Sequence, residues 1–243
     1  MKALVVGGSS GIGLSIVLNL NGRTEYDQVF VLDKAEFPAE YRTEKILPKI
    51  CDLSLADYSC LDEFDDINAL FITAGFGHLK FFQELSEEYI QNCFSVNAVA
   101  PIQIVRHYYD RLLAADYFYC GIMVSIAGRL SSPLFSVYSA TKAALSKFIE
   151  AVNVELDVQG SKNRILEVSP GSMKGTGFTG GTSHPEMTAA LAEEIITRAE
   201  KHEELYIPQY EDVFKGVIER YEADAHKYGV ESYWYKKKRL EEQ

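Results

Sequence analysis

Three residues near the middle of the chain have types and spacing suited to moving a proton: Ser125, Tyr138 and Lys142. They lie in MVSIAGRLSSPLFSVYSATKAAL, residues Met123 to Leu145, which reads as an apolar strand, a loop and the start of a helix. On a helix, positions i and i+4 share a face, so Lys142 stands one turn above Tyr138. A phenol ionises near 10 in water, and an adjacent ammonium favours its phenolate, bringing proton transfer within reach of neutral pH. Ser125 closes the strand that precedes the loop. A plainer account of Tyr138 and Lys142 is an exposed helix start with a lysine lying along the surface. Ser131, Ser132 and Ser136 read as turn residues.

A second cluster opens the chain. In LVVGGSSGIGL the glycines Gly7, Gly11 and Gly13 stand between a strand and a helix, with Ser9, Ser10 and Ile12 among them. Backbone amides at such a helix N-terminus face a pyrophosphate, and side chains on the glycines would block its approach. A simple strand-to-helix turn also accounts for them. Asp33 follows Gly13 by twenty residues, at the end of the apolar run QVFVL, where a carboxylate accepts hydrogen bonds from ribose hydroxyls and repels a 2′-phosphate. This favours NAD, while the adjacent Lys34 leaves NADP open. Asp52 and Leu53 suit either an adenine edge or a helix cap at Asp52 or Ser54. Thr73, Ala74 and Gly75 are small residues where a cofactor backbone would cross, or a turn.

The elements that must position these residues alternate in type. Apolar runs KALVV, QVFVL, ALFIT, GIMVS, RILEVS and ELYIP separate segments of helical period, the pattern of βαβ units and a parallel sheet. The expected class is α/β, a three-layer, doubly wound parallel sheet, in one domain over residues 1–243. One helix is expected from Gly11 to Leu20 with a left-handed stop at Asn21-Gly22, and a second from Ser86 to Leu113 with a kink or break at Pro101. A third runs from Tyr138 to Gln159. Lys174 to Met187, KGTGFTGGTSHPEM, reads as a mobile loop beside a site, within a substrate loop of about 174–200. The aromatic, helical tail of about 212–243 is expected to cover the pocket or a neighbouring subunit.

Composition narrows the classes. Hydrophobic residues make up 47% and charged residues 24%, as in a folded globular protein. A net charge of -11 argues against a nucleic-acid partner, and KKKR at Lys236 to Arg239 reads as a solvated helix face without function. The cysteines at 51, 60, 93 and 120 show no C-x-x-C spacing, and the chain opens straight into a strand rather than a signal sequence. Reduced thiols, no membrane span and a cytoplasmic location are expected, and the scattered histidines predict no metal site.

Taken together, Gly7-x-x-x-Gly11-x-Gly13, Asp33, Asp52, Ala74-Gly75, Asn97, Ser125, Tyr138-x-x-x-Lys142 and Pro170-Gly171 resemble the short-chain dehydrogenase/reductase family in its compact form. The resemblance implies a Rossmann-like sheet of seven parallel strands and an active site of Asn97, Ser125, Tyr138 and Lys142. It implies an NAD(P)-dependent exchange between a secondary alcohol and a ketone or aldehyde. Tyr138 would act as acid or base, Ser125 would hold the substrate oxygen, and Lys142 would bind the nicotinamide ribose. Asn97 would hold a relay water, although it also suits capping the kink. Pro170, Gly171 and Met173 would meet the nicotinamide amide, with Thr176 behind them. A homodimer or homotetramer is implied through the two long helices. Phe76, His78, Phe135, Phe178 and His184 are candidate pocket residues for a small alcohol or carbonyl substrate. Two departures stand out: Val6 replaces a threonine, and Ile72-Thr73 replace paired asparagines. A catalytically silent dinucleotide sensor or scaffold is the alternative; too little chain follows Pro170 for a sugar-nucleotide epimerase.

Overall fold

Successive residues of a strand face opposite sides of a sheet, and in the first strand both sides are apolar. The computed structural model describes residues 1–178 and 182–241. In it β1 (Lys2–Val6) buries Leu4 and Val6 in one core and Ala3 and Val5 in another. The strands β2 (Gln28–Asp33), β3 (Ile46–Ile50), β4 (Ala69–Ile72), β5 (Tyr119–Met123), β6 (Ile165–Val168) and β7 (Leu205–Tyr206) follow in sequence. They form one seven-stranded, wholly parallel sheet in the order β3-β2-β1-β4-β5-β6-β7. The strand order reverses between β1 and β4, which leaves a crevice beyond their carboxyl ends.

Helices cover both faces. On one side α1 (Gly11–Gly22) sets Leu14, Ile16, Val17 and Leu20 against the sheet. Beside short 3-10 turns and a second π-turn (Tyr210–Phe214), the further helical elements are α2 (Glu87–Phe94), a π-turn (Ser95–Val99), α3 (Ala100–His107), α4 (Tyr109–Leu113), α5 (Ser136–Val158), α6 (Pro185–Glu200), α7 (Lys215–Ala223) and α8 (Ala225–Glu241). Ala192, Ile195 and Ile196 of α6 join α1, whereas Ile104 and Val105 of α3 and Leu145, Ile149 and Val152 of α5 line the opposite core. Each such fully buried aliphatic side chain contributes about 1.5–3 kcal/mol.

Several boundaries differ from the sequence reading. Gly22 is not left-handed; α1 runs through it and stops at Arg23, whose extended backbone (φ −86°, ψ 134°) leaves the guanidinium paired with Glu193 and Glu200 of α6. Ser86 caps α2 as expected, its Oγ accepting from the Tyr89 N–H at 3.1 Å. Pro101 produces no isolated kink, because it stands in the first turn of α3, where its missing N–H costs nothing. The irregularity comes just before it, in the π-turn, and again at Tyr108. Most of the segment read as a substrate loop, about 174–200, is helix, with Pro185 opening α6. Residues 179–181 of that stretch, and 242–243 of the tail, lie outside the described residues. No helix among the described residues is long and apolar enough to cross a membrane.

Candidate active site

Ser125, Tyr138 and Lys142 converge at the carboxyl end of β5 and the first turns of α5. Ser125 is extended (φ 175°); its Oγ accepts from the Ala127 N–H at 3.1 Å and reaches Pro170 O at 3.5 Å. Tyr138 is buried against Phe135 and Phe178, whose ring centroids lie 5.5 and 5.3 Å from its own, and Gly77 leaves room for the ring's remaining face. Lys142 is also buried, its Nζ donating to Met123 O at 2.8 Å and standing 5.8 Å from the Tyr138 ring centroid.

Burial governs the charges of this pair. Desolvation pushes the Tyr138 phenol up to about 12, against a hydrogen bond from Ser125 that favours the phenolate. Desolvation likewise brings the Lys142 ammonium down to about 8. For both groups burial is the largest influence, and on Tyr138 it favours the neutral phenol. What this arrangement offers near neutral pH is a proton held ready on Tyr138.

Asn97 sits in the π-turn and is fully buried. Its Oδ1 accepts from Phe76 N–H at 3.0 Å and its Nδ2 donates to Phe76 O at 2.8 Å and Thr141 Oγ1 at 3.2 Å. The amide thus pins the strand-end loop beside Tyr138 to α5. The helix widens by one residue per turn where this side chain turns inward, a local change common at functional positions.

One residue unmarked by any motif ties the whole wall together. Glu167 of β6 is 3% exposed, and Arg129, four residues beyond Ser125, donates Nη2 and Nε to its Oε1 at 2.7 and 3.0 Å. Ser169 donates to Oε1 at 2.7 Å, and Ser146 of α5 to Oε2 at 2.8 Å. A single carboxylate therefore joins the loop after Ser125, the helix of Tyr138 and Lys142, and the strand leading to Pro170-Gly171. Only its position in an otherwise apolar buried strand hinted at this.

Across the crevice, the glycine turn is built for close approach. Gly7 has φ +85°, and a Cβ on Gly13 would overlap the Gly7 carbonyl and the Thr73 hydroxyl. Asp33 Oδ2 accepts from the Ser9 N–H at 2.9 Å and Oδ1 from the Ala35 N–H at 3.1 Å, which aims the carboxylate alongside the turn with acceptor capacity left. Ser10 precedes α1 without a side-chain cap, and Ile12 is half-buried in its first turn. Thr73 replaces a lost contact: its Oγ1 reaches the Val6 and Gly7 carbonyls, both at 3.0 Å. Ala74 N–H donates to Val6 O at 3.0 Å, and Gly75 lies against Asn97 and Lys142.

Other expected positions take structural partners. Asp52 caps a short turn, accepting from the Ser54 N–H and Oγ at 2.9 and 2.7 Å, while Leu53 faces the core. Thr176 Oγ1 donates to Met173 O at 3.0 Å, within its own turn. The same loop returns to α1, where Ser183 Oγ accepts from the Gly11 N–H at 2.7 Å. His184 faces Glu186, and Phe76 and His78 cluster with Tyr89. Phe178 and Phe135 are thus the expected pocket residues that touch Tyr138.

The tail takes part as well. Phe214 occupies the space that a Cβ on Gly171 would need. Helix α8 crosses the loop between Ser125 and Tyr138, with Gly229 against Ser131. Lys236, read from the sequence as part of a solvated face, is instead half-buried and donates to Ser132 Oγ at 2.6 Å.

The short chain dehydrogenase family model matches residues 1–186. Among curated relatives, an uncharacterized oxidoreductase, TDA5 of Saccharomyces cerevisiae, is 28% identical over 82% of this chain, which spans 63% of that relative's length. Solved folds are similar too. A short-chain dehydrogenase from Sphingobium yanoikuyae in complex with NADPH shares 19% identity at a TM-score of 0.71, covering 92% of this chain and 95% of that one. 4-Hydroxyisoleucine dehydrogenase complexed with NADH shares 20% identity at a TM-score of 0.69, covering 85% and 96%.

Proposed function

The chain belongs to the short-chain dehydrogenase family, and from that premise we propose that it interconverts a secondary alcohol and a ketone or aldehyde with a nicotinamide dinucleotide. The observation that carries this reading is the buried Ser125, Tyr138 and Lys142 wall facing a glycine turn across the crevice between β1 and β4. The turn suits a dinucleotide: Gly13 admits no side chain, and the Gly11 N–H already holds a hydroxyl oxygen where a phosphate oxygen is a comparable partner. Asp33 beside Ser9 favours NAD through ribose hydroxyls, and Lys34 keeps NADP within reach. Gly7, Ser9, Ser10, Gly11, Ile12, Gly13, Ala74 and Gly75 would line the dinucleotide's path, and Pro170, Gly171 and Met173 its nicotinamide end. Asp52, whose second carboxylate oxygen takes no hydrogen bond among the described residues, would hold the adenine edge with Leu53, and Thr176 would join that set through backbone, since its hydroxyl is engaged within its own turn.

The dinucleotide supplies the hydride acceptor or donor. The chain's residues do the rest. Tyr138 gives its proton to a carbonyl oxygen during reduction, Ser125 Oγ hydrogen-bonds the same oxygen, and Lys142 steadies the surrounding charge. The phenol, held up to about 12 by burial, rests protonated, which is the form that gives its proton to a carbonyl oxygen. Asn97 acts as a positioning residue, fixing the Phe76 backbone beside the Tyr138 ring.

Tyr138→Phe should reduce turnover by about 10³-fold while leaving dinucleotide fluorescence titrations nearly unchanged. Unchanged turnover would sink the assignment of Tyr138. Dinucleotide binding with no turnover on any alcohol or carbonyl class would favour a sensor. Self-association through exposed Phe94 and Val99 and through Val154 and Val158 of α5 is part of the same reading, with a dimer or tetramer as its product. Sedimentation showing only monomer at micromolar concentration would overturn that part.

A further inference from the structure

The loop between Ser125 and Tyr138 carries Ser131, Ser132 and Phe135, and α8 lies across it. The Lys236 ammonium donates to Ser132 Oγ at 2.6 Å and stands 5.9 Å from the centroid of the Phe135 ring. Phe135 in turn meets Tyr138 edge-on at 5.5 Å. A cation is therefore held two ring contacts from the Tyr138 phenol.

Among the described residues no carboxylate lies within ion-pair distance of Lys236, whereas Lys237, one residue on, reaches Glu241 at 3.8 Å. An ammonium has three N–H donors, and Ser132 takes one. Desolvation lowers it to about 8, the mark of a charge withdrawn from water without compensation. In a chain of 35 acidic against 24 basic residues, a basic side chain with no carboxylate in ion-pair reach among the described residues calls for a partner from outside. Gly229 permits the packing that puts it there, because a Cβ would come within 3.1 Å of Ser131 Oγ.

We propose that Lys236 and Ser132 form an anion subsite at the mouth of the active site, and that the substrate carries a carboxylate or phosphate a few bonds from its reacting carbon. This rests on the oxidoreductase reading above and names the substrate class for it. Hydrogen bonds from an ammonium to an anionic oxygen are short and strong, and here they form partly out of water, where they discriminate best.

Two matched probe pairs test it: 4-oxopentanoate against 4-oxopentanamide, and dihydroxyacetone phosphate against dihydroxyacetone. Binding is read without turnover, by mass-spectrometric protection of Lys236 from acetic anhydride at pH 8. The expected result is protection by at least one anion and by neither uncharged partner; which anion protects separates carboxylate from phosphate. Turnover is read as the ratio of KM values within each pair, using NADH and NADPH. Lys236→Met should collapse the anion preference by about tenfold, and Lys236→Arg should retain most of it. Equal protection within both pairs, or protection by none of the four probes, overturns the subsite. An anion preference unaltered in Lys236→Met does the same. Protection without turnover of any probe counts against the oxidoreductase reading while upholding the anion subsite.

Discussion

The wall that carries Ser125, Tyr138 and Lys142 and the extension that carries Lys236 are held in contrasting ways. The wall is dense with satisfied buried polar groups: Asn97 bonds both Phe76 and Thr141, and Glu167 gathers Arg129, Ser146 and Ser169. In α7 and α8, by contrast, Gly229 alone is buried, and Trp234 and Tyr235 are 60% and 64% exposed. The extension rests on the body at a few points, among them Phe214 on Gly171 and Lys236 on Ser132. The family model also ends at residue 186, before this extension begins. On the proposals above, proton chemistry would sit in the densely bonded part and recognition in the part that can be changed without disturbing it.

The largest way to break this contrast is at Glu167. Glu167→Leu leaves Arg129, Ser146 and Ser169 without their acceptor and should cost about 3–5 kcal/mol in urea denaturation; a loss within 1 kcal/mol would mean the wall does not depend on it. Next comes Lys142. Its ammonium is lowered from 10.5 to about 8 by burial, so below pH 8 the folded state carries the cost of a buried charge. Between about 8 and 10.5 the unfolded chain binds more protons, and stability rises with pH relative to Lys142→Met. The variant should therefore be more stable by about 2–3 kcal/mol at pH 7 and lose that advantage by pH 10.5, with turnover gone throughout. A gap that stays constant with pH would remove burial as the cause.

Smaller effects sharpen the boundary between the two regions. Gly171→Ala drives a methyl into the Phe214 ring and should cost about 1–3 kcal/mol as overpacking, with limited proteolysis first releasing the tail. Cleavage elsewhere would place the weak point in the body. Thr73→Val removes one hydroxyl shared between the Val6 and Gly7 carbonyls and should cost about 1 kcal/mol, seen as weaker dinucleotide binding with an unchanged rate at saturation.

How much of this was legible from residues alone divides along the same line. Ser125, Tyr138, Lys142, the glycine turn, Asp33 and the parallel sheet announce themselves because their spacing repeats the geometry that uses them. Glu167 barely does, since its partners come from residues 129, 146 and 169, and the sole local sign is an acid within an otherwise apolar strand. The stop at Asn21-Gly22 failed because Arg23 is fixed from α6 rather than by the helix's own end. The helix opening at Pro185 was hidden by the glycines that precede it. Lys236 sits in a run of four basic residues, and which of them turns inward is set by the loop it meets, not by the run. Asn97 was legible as a residue, but its π-turn arises from a tertiary pairing with Phe76.

The sheet's borders bear on how the protein behaves when crowded. One outer strand, β3, contains Pro48, which has no N–H to offer a newcomer, and is followed by the charged Lys49. The other, β7, is two residues long. Neither border gives a second molecule a ladder to extend, so strand-to-strand aggregation is blunted at both ends. A concentrated solution of this protein is left with helix faces as its means of association, and those can part again without unravelling the sheet.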